Sequence, residues 1–147
     1  MSAKENKDLV TRYLKENNAV KGDITKATTI MDKYYAPKAV YHLPSGDWNF
    51  EQFKQFATAA LKNIPDFNST IEDIIAEGDK VVVRSTMRGT HSGELLGIAP
   101  TGKKFSETGI SIYRIVSGKI AEVWVVDDTL GLMQQLGVVP PMGKGGR

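Results

Sequence analysis

Asp128 closes an alternating run in which Glu122, Trp124, Val126 and Asp128 share one strand face. A carboxyl beside an aromatic ring in an apolar pocket has its charged form disfavoured, so its pKa rises. Such a group can take a proton from an activated carbon and return one to an oxygen. Asp128 also directly precedes a helical pattern, and aspartate is a preferred helix N-cap. The residue type alone supports either role. Asp127 has the opposite parity and reads as the better pure cap.

His42 and His91 are the two histidines. A neutral imidazole can relay a proton or orient a carbonyl. His91 opens a glycine-bearing loop, a usual place for site residues, although a hydrogen-bonded histidine at a strand end is the plainer reading. Trp124 offers a flat wall to a ring-shaped ligand or simply core packing. Trp48 covers a pocket mouth or anchors the helix that follows it. Arg84, on a long strand, is placed to pair with Glu122 or to hold an ester or carboxylate. No spacing supports a zinc site, and residues 97–102 lack the spacing of a phosphate loop.

The elements that must position these residues are legible from periodicity. Ser2 and Glu5 form a capping box ahead of Leu9, Val10, Tyr13 and Leu14 at helical spacing. Asp23 caps a second helix with the stripe Ile24, Ala27, Ile30, Met31, Tyr34 and Tyr35, ended before Pro37. Residues 39–43 read as a short strand and residues 44–47 as a loop. Asn49 and Gln52 cap a third helix carrying Phe50, Phe53, Phe56, Leu61 and Ile64. Strands are then expected over 67–76, 80–90, 104–116 and 119–127, with a loop over 92–102 and a closing helix over 129–136.

Helices segregated ahead of consecutive strands imply an α+β fold. A strongly curved antiparallel sheet with three N-terminal helices on one side makes a cone whose mouth is a natural ligand pocket. One domain is expected over 1–140, with a flexible tail over 141–147. The net charge of +2 gives no push toward nucleic acid. The chain has no cysteine, which removes disulfides and thiolate metal sites. With no apolar run long enough to cross a membrane and no secretory signal, a cytoplasmic location is expected.

An ordered set of segments carries a family resemblance. It runs from Gly89-Thr90-His91-Ser92-Gly93-Glu94 through Leu96-Gly97-Ile98-Ala99-Pro100-Thr101-Gly102 to Gly109-Ile110-Ser111-Ile112-Tyr113-Arg114-Ile115. Gly118-Lys119-Ile120, Glu122 and Trp124 follow, and Asp128-Thr129-Leu130-Gly131-Leu132-Met133-Gln134-Gln135-Leu136-Gly137 closes it. This resembles the SnoaL-like polyketide cyclases, or ester cyclases, of the nuclear-transport-factor-2-like superfamily. The resemblance implies the α+β cone, no cofactor, no metal and a homodimer or larger homo-oligomer. It implies an intramolecular aldol condensation on an apolar carbonyl or aromatic ligand, with Asp128 as the acid and base. His91 would assist, and His42, Trp48, Arg84, Glu122 and Trp124 would bind the substrate. Two further readings are a non-catalytic small-molecule-binding module and an epoxide or ester hydrolase.

Overall fold

Capping chemistry starts each long helix where the residues place it. Helix α1 (Ala3–Asn18) begins at a complete Ser2–Glu5 capping box. Helix α2 (Ile24–Tyr34) begins where the Asp23 side chain accepts from the Lys26 amide. Helix α3 (Phe50–Asn63) begins at a complete Asn49–Gln52 box. These caps satisfy amides that a helix leaves open, so each start is chemically specified. The computed structural model describes residues 1–140; the anticipated tail over 141–147 lies outside the described residues.

Strand β1 (Tyr35–Leu43) follows α2 without a break and turns into β2 (Gly46–Asn49). Strands β3 (Asn68–Glu77), β4 (Lys80–Thr90), β5 (Lys104–Val116) and β6 (Lys119–Asp127) follow α3, and α4 (Thr129–Gln135) is the last element among the described residues. Two differences from the sequence reading stand out. Strand β1 starts four residues early and runs through Pro37, which sits where the β1–β6 register jumps between Tyr35 and Val40. A proline, lacking an amide donor, is tolerated at such an interruption. Residues 46–49, expected to begin as loop, form the edge strand β2.

The sheet order is β2-β1-β6-β5-β4-β3. All neighbours are antiparallel except β1 and β6, which run parallel. The sheet is therefore mixed at one junction, because the helices separate β1 from the later strands. Ser117 (φ 50°) and Gly118 (φ 76°) make the tight β5–β6 turn. Positive φ at both central residues matches the right-handed twist of the flanking strands.

One face of this curved sheet is covered by α1, α2 and α3. Val81, Val83, Tyr113, Ile115, Val123 and Val125 point into it and join Val10, Tyr13, Met31 and Phe53 in one apolar core. Each fully buried aliphatic side chain in such a core contributes about 1.5–3 kcal/mol. A smaller cluster of Ile64, Phe105, Leu132 and Leu136 closes the far end under α4, with Leu95 and Ile98 packed on it. Among the described residues no helix is long and apolar enough to cross a membrane.

Candidate active site

The alternation of β6 places Val123, Val125 and Asp127 on the helix-covered face. Asp127 is the last of the three and half-buried. Its partner across the ladder is Gly109 of β5. A methyl group built on Gly109 would lie 2.0 Å from Asp127 Oδ1 and 3.0 Å from its Cγ. The carboxyl therefore folds over bare backbone, in space that only glycine leaves open.

Glu107 stands two residues before Gly109 on β5 and shares its face, so it is the diagonal neighbour of Asp127. Diagonal pairs on adjacent strands come within reach when one side chain is long. Burial pushes the Asp127 carboxyl up to about 6. Burial, with the charges of Asp127 and Asp128 adding to it, pushes Glu107 up to about 7. Both carboxyls therefore titrate close to neutral pH, well above the ordinary carboxylate range.

Two buried phenols feel their charge. Tyr113, on the same face of β5, has its phenol raised by burial first and then by Tyr13, with Asp127 a smaller contributor. Tyr41 of β1 is likewise raised by burial, with Tyr113, Tyr13, Asp127 and Glu107 adding. Both phenols stay neutral and can donate hydrogen bonds. Tyr41 stacks on Phe53 with ring centroids 3.8 Å apart and on Trp48 at 6.4 Å. Phe56 meets Trp48 at 5.3 Å. Met87 of β4 faces Glu107 in register. Two inward carboxyls thus share the helix-covered face with a cluster of stacked aromatic rings that includes Trp48.

The other anticipated site residues lie elsewhere. Asp128 is exposed, and its Oδ1 accepts from the Gly131 amide at 3.0 Å as the N-cap of α4. Of the two aspartates, Asp128 is the helix cap and Asp127, expected as the better pure cap, faces inward. His91 is fully buried, yet both ring nitrogens are used by its own loop. The Thr101 amide donates to Nδ1 at 3.2 Å, so the ring proton sits on Nε2, which donates to the Ile98 carbonyl at 3.2 Å. His91 pins residues 92–102 rather than facing a ligand.

Glu122, Trp124 and His42 occupy the opposite face of the sheet. His42 Nε2 lies 2.6 Å from Glu122 and Nδ1 lies 2.8 Å from Asp47. His42 stacks on Trp124 at 5.3 Å. Glu122 is held by Arg114, at 2.9 Å, rather than by Arg84. Arg84 instead pairs with Asp73 at the exposed surface. Glu122 and Trp124 share a face as expected, but it is the one the helices leave open, and Asp128 lies past the end of β6 at the start of α4. Among the described residues no group of three His, Asp or Glu side chains is placed to hold a metal ion.

Sequence reasoning missed Glu107. Its signal was present: a carboxylate at the parity of Phe105, Gly109, Ser111 and Tyr113, where core residues are expected.

An inward carboxyl at the end of the last strand of a helix-wrapped curved sheet defines an α+β cone of the nuclear-transport-factor-2-like class. Residues 17–136 match the family model for SnoaL-like polyketide cyclases, and the chain belongs to that family. It is 34% identical over 144 residues to the aklanonic acid methyl ester cyclase DauD of Streptomyces sp. (strain C5), covering 95% of this chain and 86% of that one. It is also 34% identical over 144 residues to the aklanonic acid methyl ester cyclase DnrD of Streptomyces peucetius, covering 95% and 96%. AclR of Streptomyces galilaeus, provisionally described as a hydroxylase, superposes with a TM-score of 0.84 at 29% identity, covering 98% of this chain and 88% of that one.

Proposed function

We propose that this SnoaL-like cyclase catalyses a cofactor-independent intramolecular aldol cyclisation of an aromatic polyketide ester, with Asp127 as acid and base. The Asp127 carboxylate removes a proton from the carbon next to a carbonyl, leaving an enolate. The enolate carbon attacks a second carbonyl of the same molecule and forms the new carbon–carbon bond. The resulting alkoxide takes the proton back from Asp127. Atoms balance within one substrate, so product and substrate are isomers and no cofactor is consumed. The observation that supports this reading is the Asp127 carboxyl tucked over Gly109, half-buried and with its pKa near 6. A base poised near the working pH combines the correct protonation state with useful driving force.

The test is turnover of aklanonic acid methyl ester, the compound in the relatives' names, followed by chromatography and mass. Conversion to an isomer of unchanged mass is expected. Asp127→Asn should lower kcat by about 10²–10⁴-fold, the usual scale of general acid–base catalysis. Undiminished turnover in that variant would overturn the mechanism.

The aromatic cluster favours a second reading, a module that only binds ring-shaped ligands. It predicts saturable binding with no chemical change and indifference to Asp127→Asn.

The sheet face turned away from the helices supports a homodimer. Ile75, Ile110 and Val126 are each at least half exposed there, beside Trp124. An uncovered apolar face of this kind suits a self-complementary two-fold interface. Ile110→Lys should shift the sedimentation mass toward the monomer. A cytoplasmic location completes the reading, since a chain without cysteine needs no oxidising compartment.

A further inference from the structure

We propose that Glu107 is a second catalytic residue of this site: its neutral carboxylic acid donates a hydrogen bond to the oxygen of the enolate that forms when Asp127 removes a proton. The inference rests on the reading of Asp127 as the base. It begins from placement. The two carboxyls lie diagonally on one face of adjacent strands, with Gly109 between them contributing no side chain. An enolising carbonyl compound requires a base at one carbon and a donor at the neighbouring oxygen, and two carboxyls on one face can divide those tasks.

The surroundings decide which carboxyl does which. Asp127 shares the face of Glu107, and the charge of Asp128, just past the end of β6, adds to its effect. Tyr41 of β1 and Tyr113 of β5 are the titratable neighbours of Asp127, and both remain neutral phenols. Met87 of β4 lies opposite Glu107. Among the described residues no lysine or arginine lowers either acid. Two carboxylates on one helix-covered face cannot both ionise freely, so one proton stays with the pair. Aspartate is intrinsically the stronger acid and ionises first. The proton remaining on Glu107 makes it a hydrogen-bond donor, which an ionised carboxylate cannot be.

This arrangement also narrows the substrate. A carboxylate is a weak base, so a carbon acid flanked by two carbonyls, as in a β-keto ester or a 1,3-diketone, matches it best. Only one of those oxygens needs the donor, which fixes the orientation of the ligand. A donor aimed at an oxyanion in a water-poor site is worth about 10²–10³-fold in kcat.

The test is the pH profile of kcat/KM for aklanonic acid methyl ester in the wild type, Glu107→Gln and Glu107→Ala. The wild type should show a bell. Its acid limb follows ionisation of Asp127, near 6, and its alkaline limb follows loss of the Glu107 proton, near 7. Both limbs belong to the coupled pair. Glu107→Gln keeps an N–H donor but cannot ionise. It should keep kcat within about 10-fold and lose the alkaline limb. Glu107→Ala should lose about 10²-fold in kcat with little change in KM. A residue that only shapes the cavity would leave the alkaline limb where it was. An unchanged alkaline limb in Glu107→Gln overturns the proposal, and this isosteric variant decides even if the alanine variant fails to fold. If Asp127→Asn is inactive while both Glu107 variants behave as wild type, this inference alone falls. If Asp127→Asn turns over normally, the reading of the base falls with it.

Discussion

The Asp127 carboxyl lies directly over the backbone of Gly109, its register partner on β5, in the volume a β-carbon would occupy. The glycine is thus part of how the base is aimed. Gly109→Ala should push the carboxyl aside and lower kcat by about 10–100-fold, since small misplacements of a reacting group are costly. The displaced atom is the end of a flexible side chain, so the thermal midpoint should move little. Steady-state kinetics and a melting curve on the same sample separate the two effects.

Stability should fall as pH rises across the range in which the paired carboxyls ionise. Asp127 and Glu107 have folded-state pKa values raised to about 6 and about 7. The folded protein then binds more protons than the unfolded chain from about pH 4 upward, so the contribution is complete below the unfolded pKa and lost as pH passes the folded values. Glu107→Gln removes one of these groups. Its unfolding free energy should exceed that of the wild type at pH 8 by on the order of 2 kcal/mol, and the gain should shrink toward pH 4. A gain independent of pH would contradict the assigned burial.

Asp128 provides the contrast that separates the two adjacent aspartates. Its side chain caps α4 and is exposed. Asp128→Ala should cost about 1 kcal/mol through the lost cap and leave kcat within a few-fold of wild type. A collapse of turnover comparable to Asp127→Asn would return the acid–base role to Asp128.

His91 holds its loop through Nδ1, Nε2 and its own backbone, which bonds to Lys103 and Gly102 at 2.8 Å each. Removing the ring leaves a void and takes the acceptor from the Thr101 amide. His91→Ala should destabilise the fold by about 2–4 kcal/mol. Amide exchange should accelerate first across residues 92–102. Loss of activity without loss of protection there would point to a direct role instead.

On the open face of the sheet, His42 has its pKa raised by hydrogen bonds to Asp47 and Glu122, and that of Glu122 is lowered chiefly by the bond to His42. Proton NMR should give a His42 titration midpoint above the ordinary histidine value. In Glu122→Gln that midpoint should drop. The small stabilisation from this pairing is present while Glu122 is ionised and His42 protonated; it is lost as pH rises through the folded His42 value and as pH falls through that of Glu122.

Much of the scaffold was legible because its signals are local. Strands β4, β5 and β6 begin and end at the residues that alternation and turn chemistry indicate. The Ser2–Glu5 and Asn49–Gln52 boxes start their helices as read, because capping involves groups three residues apart. The β1–β2 hairpin was missed because β2 has four residues and draws its stability from pairing with β1 rather than from its own composition.

The candidate site was legible only by half. Local sequence determined the helices, the long strands and the parity of every residue along them, including the shared face of Glu122 and Trp124. Parity has no sign, however. Which of the two sheet faces receives α1, α2 and α3 depends on contacts between residues distant in the chain. That choice turned Asp127 and Glu107 inward and left Asp128 to cap a helix at the rim. The proton chemistry is therefore a property of the packed layers, because a carboxyl acquires a raised pKa only from what closes over it.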